Sequence, residues 1–135
     1  MSENKMDSEI KEDNLKILII DDNEQITKML TTFLSTQNFA CIITNDAKEG
    51  LKMIEEDRYD AVLLDLALPD FNGYDVIDAL EKNDMLRKNK IIVFTASNIS
   101  EDELDKLVKR GVTSYILKPV DIDELLSKIQ KVINT

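Results

Sequence analysis

A chain of 135 residues is one domain with enough residues for a proper core. Acids outnumber bases 27 to 17, a formal charge of −10, which argues against direct nucleic-acid binding and for a divalent cation or a basic protein surface as partner. Histidine is absent and Cys41 is the sole cysteine, which excludes Ser-His-Asp and Cys-His catalysis and any intrachain disulfide.

Met1–Asn14 is polar, with little to bury and no signal-peptide apolar stretch, and is expected to be a disordered leader. The folded domain is expected over 15–135. No run approaches the length of a membrane span, so a cytoplasmic protein without membrane contact is expected. From Leu15 onward, short apolar runs alternate with helical patterns. The runs are Ile17–Ile20, Cys41–Ile43, Ala61–Leu64, Ile91–Phe94 and Tyr115–Leu117. They are continuous in Ile, Val and Leu rather than alternating, as parallel strands covered on both faces should be. Cys41 lies inside one of them and reads as a small hydrophobe.

The first helix is predicted over Glu24–Gln37, capped by Asn23, with Ile26, Met29, Leu30, Phe33 and Leu34 as its apolar stripe. The second spans about Ala47–Glu56, capped by Asn45 or Asp46, and buries Leu51 and Ile54. The third, near Tyr74–Asn83, buries Val76, Ile77 and Leu80. The fourth begins at a Ser100/Glu103 capping box and ends at Gly111. The fifth follows Asp121 and carries Ile122, Leu125, Leu126, Ile129, Val132 and Ile133 on one face. Five such strand–helix units describe a doubly wound α/β sandwich, a flavodoxin-like (βα)5 fold with strand order 2-1-3-4-5.

In such sheets ligands bind beyond the carboxyl ends of the strands, where strand order reverses. Here those ends carry Asp21-Asp22, Thr44, Asp65, Thr95 and Lys118-Pro119. Each residue alone reads as a turn, a cap or a solvated charge. Together, three carboxylates form a site for a hard cation such as Mg²⁺, with the Ala67 carbonyl able to turn toward it. Pro69 and Asn72-Gly73 mark a shaped loop that leaves Asp65 open at the edge. Asp65 can then attack phosphorus, while Lys118, the Thr95 hydroxyl and the Ala96 amide bind phosphoryl oxygens.

The stretches Ile19-Ile20-Asp21-Asp22-Asn23, Leu63 to Gly73, Phe94-Thr95-Ala96 and Tyr115-Ile116-Leu117-Lys118-Pro119 closely resemble the receiver domain of two-component response regulators, over about Leu15 to Asn134. The resemblance implies that Asp65 is the phosphoacceptor, taking its phosphoryl group from a phosphohistidine on a histidine kinase or histidine phosphotransfer protein. It implies Mg²⁺ held by Asp22, Asp65 and the Ala67 carbonyl, with Asp21 acting through water. It also implies a cis Lys118-Pro119 bond and a Thr95/Tyr115 switch pair, Thr95 moving toward the phosphoryl group and Tyr115 turning into the vacated space. Ala67 and Ser97 occupy positions that tune phosphoryl lifetime in the family, and slow-to-moderate self-hydrolysis is expected. Asn72 stands where the family often has an acid.

The family uses the fourth helix, fifth strand and fifth helix for target binding or a homodimer. Such a chain promotes its own phosphorylation and dephosphorylation but has no separate turnover substrate. A haloacid-dehalogenase-type phosphatase would need an acid at Ala67, and a nucleotide-binding loop of the Walker type is missing. The downstream target stays open. A stand-alone switch and the amino-terminal receiver of a larger transcription factor or output enzyme are both compatible with the sequence.

Overall fold

The computed structural model describes residues 14–96 and 98–135, so the leader expected over Met1–Asn14 lies, but for Asn14, outside the described residues, as does Ser97. Five strands, β1 (Leu15–Ile20), β2 (Phe39–Thr44), β3 (Ala61–Leu64), β4 (Ile91–Ala96) and β5 (Ser114–Lys118), form one sheet in the order β2-β1-β3-β4-β5. Every neighbouring pair is parallel. The helices that join them are α1 (Glu24–Ser35), α2 (Ala47–Glu56), α3 (Gly73–Lys82), α4 (Glu101–Arg110) and α5 (Ile122–Ile133). The doubly wound fold and strand order expected from the sequence are both observed.

Strand pleating explains the continuous apolar runs. Ile17 and Ile19 join Leu63, Ile92 and Ile116 in a core with Leu30 and Leu34 of α1 and Leu125, Ile129 and Val132 of α5. The intervening Leu18, Ile20, Val62, Leu64, Ile91 and Val93 face the other way, against Ile54 of α2, Val76, Ile77 and Leu80 of α3, and Leu104 and Leu107 of α4. Both faces of the central strands β1, β3 and β4 are therefore covered and leave no solvated side to be polar, while the edge strand β2 leaves Ile43 exposed. Cys41 is half-buried, and that burial pushes its thiol up to about 11, the behaviour of an inert small hydrophobe.

Helix boundaries follow local chemistry. Asn23 caps α1 by accepting from the Ile26 N–H, and Asp46 rather than Asn45 caps α2 by accepting from Lys48. Asn72/Asp75 and Ser100/Glu103 form complete capping boxes at α3 and α4. Gly111 ends α4 at φ 140°, a conformation that disfavours any residue with a Cβ.

Two expectations for α1 change. The helix stops at Ser35, two residues before Gln37, and Asn38 follows in the left-handed region at φ 70°. Met29 is 49% exposed, while Thr27 is buried in its place, its hydroxyl donating to the Glu24 carbonyl. With 3.6 residues per turn, Thr27, Leu30 and Leu34 share the inward arc and Met29 falls about 130° from its centre. The apolar type of Met29 overruled its position in the sequence pattern.

The β3–α3 connection packs backbone on backbone. A Cβ on Gly73 would sit 2.5 Å from the Asp65 carbonyl oxygen and 2.7 Å from the Leu66 Cα. Neither atom can swing away as a side chain would. Gly73→Ala should therefore cost about 1–3 kcal/mol in urea unfolding, as overpacking does, and should displace the segment that carries Asp65. An unfolding midpoint equal to that of the unmodified chain would refute this close approach.

Candidate functional site

The carboxyl ends of β1, β3, β4 and β5 bring Asp21, Asp22, Asp65, Thr95 and Lys118 together. Asp21 and Asp65 are 2% and 7% exposed, whereas Asp22 is exposed. One carboxylate oxygen from each of the three lies within 4.8 Å of the others. Asp21 accepts from the Asn23 N–H at 2.9 Å and from Lys118 Nζ at 2.7 Å. Asp65 Oδ1 accepts from the Ala67 N–H at 3.1 Å and the Thr95 hydroxyl at 3.0 Å. Its Oδ2 accepts from Lys118 Nζ at 3.1 Å. The Lys118-Pro119 peptide bond is cis.

The electrostatics follow from burial. Desolvation pushes the Asp21 carboxyl above its ordinary value, against the hydrogen bonds from Lys118 and Asn23 and the Lys118 charge; the nearby Asp65 charge adds to the rise. Burial also opposes the charge on Lys118, yet the hydrogen bond to Asp21 and the charges of Asp21 and Asp65 outweigh it and hold the ammonium above the ordinary lysine value. Among the described residues, the three clustered carboxylates are thus met by one ammonium, which leaves two negative charges unneutralised. An oxygen-only donor set with that deficit fits a small divalent cation of the Mg²⁺ type, which binds through one or two carboxylates and keeps several waters. The open side at Asp22 leaves room for those waters.

Residues 17–130 match the family model described as the response regulator receiver domain. The chain belongs to that family. It is 35% identical over 115 residues to the response regulator ArlR of Staphylococcus saprophyticus, a match covering 85% of this chain and 50% of that protein. The chain spans about half the length of the curated relatives it matches. Among solved structures, a CheY-like receiver domain protein from Methanospirillum hungatei superposes with a TM-score of 0.78 at 31% identity, covering 89% of this chain and 94% of that one. The receiver domain of a sensor histidine kinase from Pseudomonas aeruginosa, solved with a magnesium ion coordinated in its active site cleft, gives a TM-score of 0.79 at 25% identity, with 90% and 99% coverage. The receiver fold, its place in two-component signalling and the acidic pocket follow from these matches together with the geometry.

Of the remaining predicted site residues of this receiver domain, Ala96 and Ala67 adjoin the pocket and Tyr115 does not. Ala96 ends β4, exposed and one residue past Thr95, and Ala67 is exposed beside Asp65. Tyr115 sits on β5 opposite Val93 and packs against the α2–α3–α4 core, not into the acid cluster. Two features escaped sequence reasoning. The Ala67 N–H braces Asp65, a contact of the loop backbone that no side-chain pattern announces. Lys118 pairs with Asp21 across 97 positions, a contact that becomes legible only through the strand order. Among the described residues, no helix is long and apolar enough to cross a membrane.

Proposed function

We propose that Asp65 is the phosphoacceptor of this receiver domain, taking a phosphoryl group from a phosphohistidine on a histidine kinase or histidine phosphotransfer protein in the cytoplasm. The observation that carries the reading is the convergence of Lys118, Thr95 and the Ala67 N–H on one carboxylate at the edge of the sheet. The chain has no histidine, so the donor imidazole is supplied by the partner. An Asp65 oxygen attacks phosphorus, the P–N bond breaks, and the imidazole leaves with the electron pair. The product is an acyl phosphate on Asp65.

Asp22, Asp65 and the Ala67 carbonyl would hold Mg²⁺ directly and Asp21 would hold it through water. When bound, the ion supplies positive charge against the phosphoryl oxygens. Lys118 shifts its donation from the carboxylates to a phosphoryl oxygen, and the Ala96 amide donates to another. The Thr95 hydroxyl already rests on Asp65, so it has only to transfer its hydrogen bond to the incoming group. That small displacement biases the packing of Tyr115 and hence the surface of α4, β5 and α5, through which a target protein or a second copy binds. The domain undergoes this change once per phosphoryl group and has no separate turnover substrate. Its negative charge gives no support for direct nucleic-acid binding.

The test is phosphotransfer to the chain and to Asp65→Asn, from candidate histidine kinases and from a small P–N donor. A separate check reads the cation. Mg²⁺ at a hundredfold excess over its Kd should stabilise the chain by about 2.7 kcal/mol in thermal or urea unfolding. Asp22→Asn should lose most of that gain. A midpoint indifferent to Mg²⁺ would remove the cation from this site.

A further inference from the structure

We infer that Phe94 is a positioning residue for Lys118, its ring forming the surface on which the ammonium crosses the sheet to the carboxylates. The inference rests on the phosphoacceptor reading above. β4 separates β5 from β3, and β4 and β3 together separate β5 from β1. Neighbouring strands lie about 4.8 Å apart, so a lysine on β5 reaches Asp65 and Asp21 only by lying over β4. Lys118 makes that crossing, with Nζ bonded to both carboxylates. The same Nζ lies 5.0 Å from the centroid of the Phe94 ring.

Strand alternation places the ring there. Ile19, Leu63, Ile92 and Ile116 all belong to the α1–α5 core, and two residues further along their strands come Asp21, Asp65, Phe94 and Lys118. Asp21, Asp65 and Phe94 fall in one row across the sheet, which β5 meets at Ile116. Lys118 lies two residues further on the same face, opposite Ala96, so its side chain passes the Phe94 ring on its way back to the acids. Phe94 is 3% exposed and packs in that same core, which fixes its ring. An aromatic face attracts a cation while offering no strong acceptor that would compete for its N–H groups. The ring therefore retains the ammonium in a water-poor pocket yet leaves its donors free to turn from carboxylate to phosphoryl oxygen. A leucine of similar volume would fill the space without holding the charge.

The test labels the full chain with phosphoramidate and Mg²⁺. In that reaction an Asp65 oxygen bonds to phosphorus, the P–N bond breaks, and the already protonated nitrogen leaves as ammonia. Pentafluorophenylalanine incorporated at Phe94 keeps the ring shape and reverses its quadrupole, and Phe94→Leu removes the ring. Each should slow labelling by about 3- to 30-fold, the range of a cation–π contact. In a Lys118→Met background the same changes should alter the residual rate by less than about twofold, because the coupled partner is gone. A pentafluorinated chain that labels as fast as the unmodified one overturns the role of Phe94 and leaves the Asp65 reading standing. Failure of the unmodified chain to label overturns both. Equal slowing in the presence and absence of Lys118 assigns the effect to the core alone and also overturns the inference.

Discussion

Asp65→Asn abolishes labelling by a phosphohistidine donor or by phosphoramidate, with a fall on the order of 10³-fold or more, as for the loss of a covalent nucleophile. The measurement is the mass of the intact chain, followed by peptide mapping of any labelled residue. The variant keeps its fold. The amide is close to the carboxylate in shape, and its oxygen can still accept from the Ala67 N–H and the Thr95 hydroxyl. Lys118 retains its 2.7 Å contact with Asp21. Neither neighbouring acid replaces the nucleophile. Asp21 is 2% exposed, and both of its oxygens already accept hydrogen bonds, one from Asn23 and one from Lys118. Asp22 is exposed, and among the described residues no donor braces it as Ala67 and Thr95 brace Asp65. Retained labelling in Asp65→Asn would transfer the acceptor role to another residue and dissolve the proposed mechanism.

The architecture was legible because its cause is local. A strand covered on both faces must be apolar at every position, so the runs announced parallel strands, and their polar endings announced the edge where chemistry collects. Asp21, Asp65 and Lys118 stand where that reading put them. The failures share a different cause. Met29 looked like core because it is apolar, but its helical angle turns it outward and gives its place to Thr27. β4 runs on through Thr95 and Ala96, because the ladder to Leu117 and Lys118 holds them, which no property of the two residues foretold. Phe94 read as an ordinary apolar residue of a buried strand. Its relation to Lys118 exists only once β4 and β5 are paired in register, with Phe94 opposite Ile116.

Lys118→Met separates the two roles that the ammonium combines, and its effect on rate approaches that of Asp65→Asn. Removing a charged donor from developing phosphoryl charge slows labelling by about 10²–10³-fold, the cost of deleting one such preorganised donor. The same change leaves Asp21 and Asp65 without their shared cation. Breaking a buried ion pair from one side costs about 3 kcal/mol here, the low end of the usual range, because the pocket opens to water beside Asp22. The pH dependence has a definite sign. Burial already raises the Asp21 carboxyl above 3.8, so the folded chain binds that proton more readily than the unfolded chain does. Stability from this group is therefore lost as pH rises through the window above 3.8 and recovered as pH falls. Without Lys118 the rise is larger, and the variant should regain stability on mild acidification more steeply than the unmodified chain. Mg²⁺ should restore it at neutral pH, since the ion replaces the missing charge. Urea unfolding across pH, with and without Mg²⁺, reads both effects. A Lys118→Met chain that labels at the unmodified rate would exclude the ammonium from phosphoryl binding. One whose stability ignores both pH and Mg²⁺ would show that the three carboxylates do not share one desolvated site.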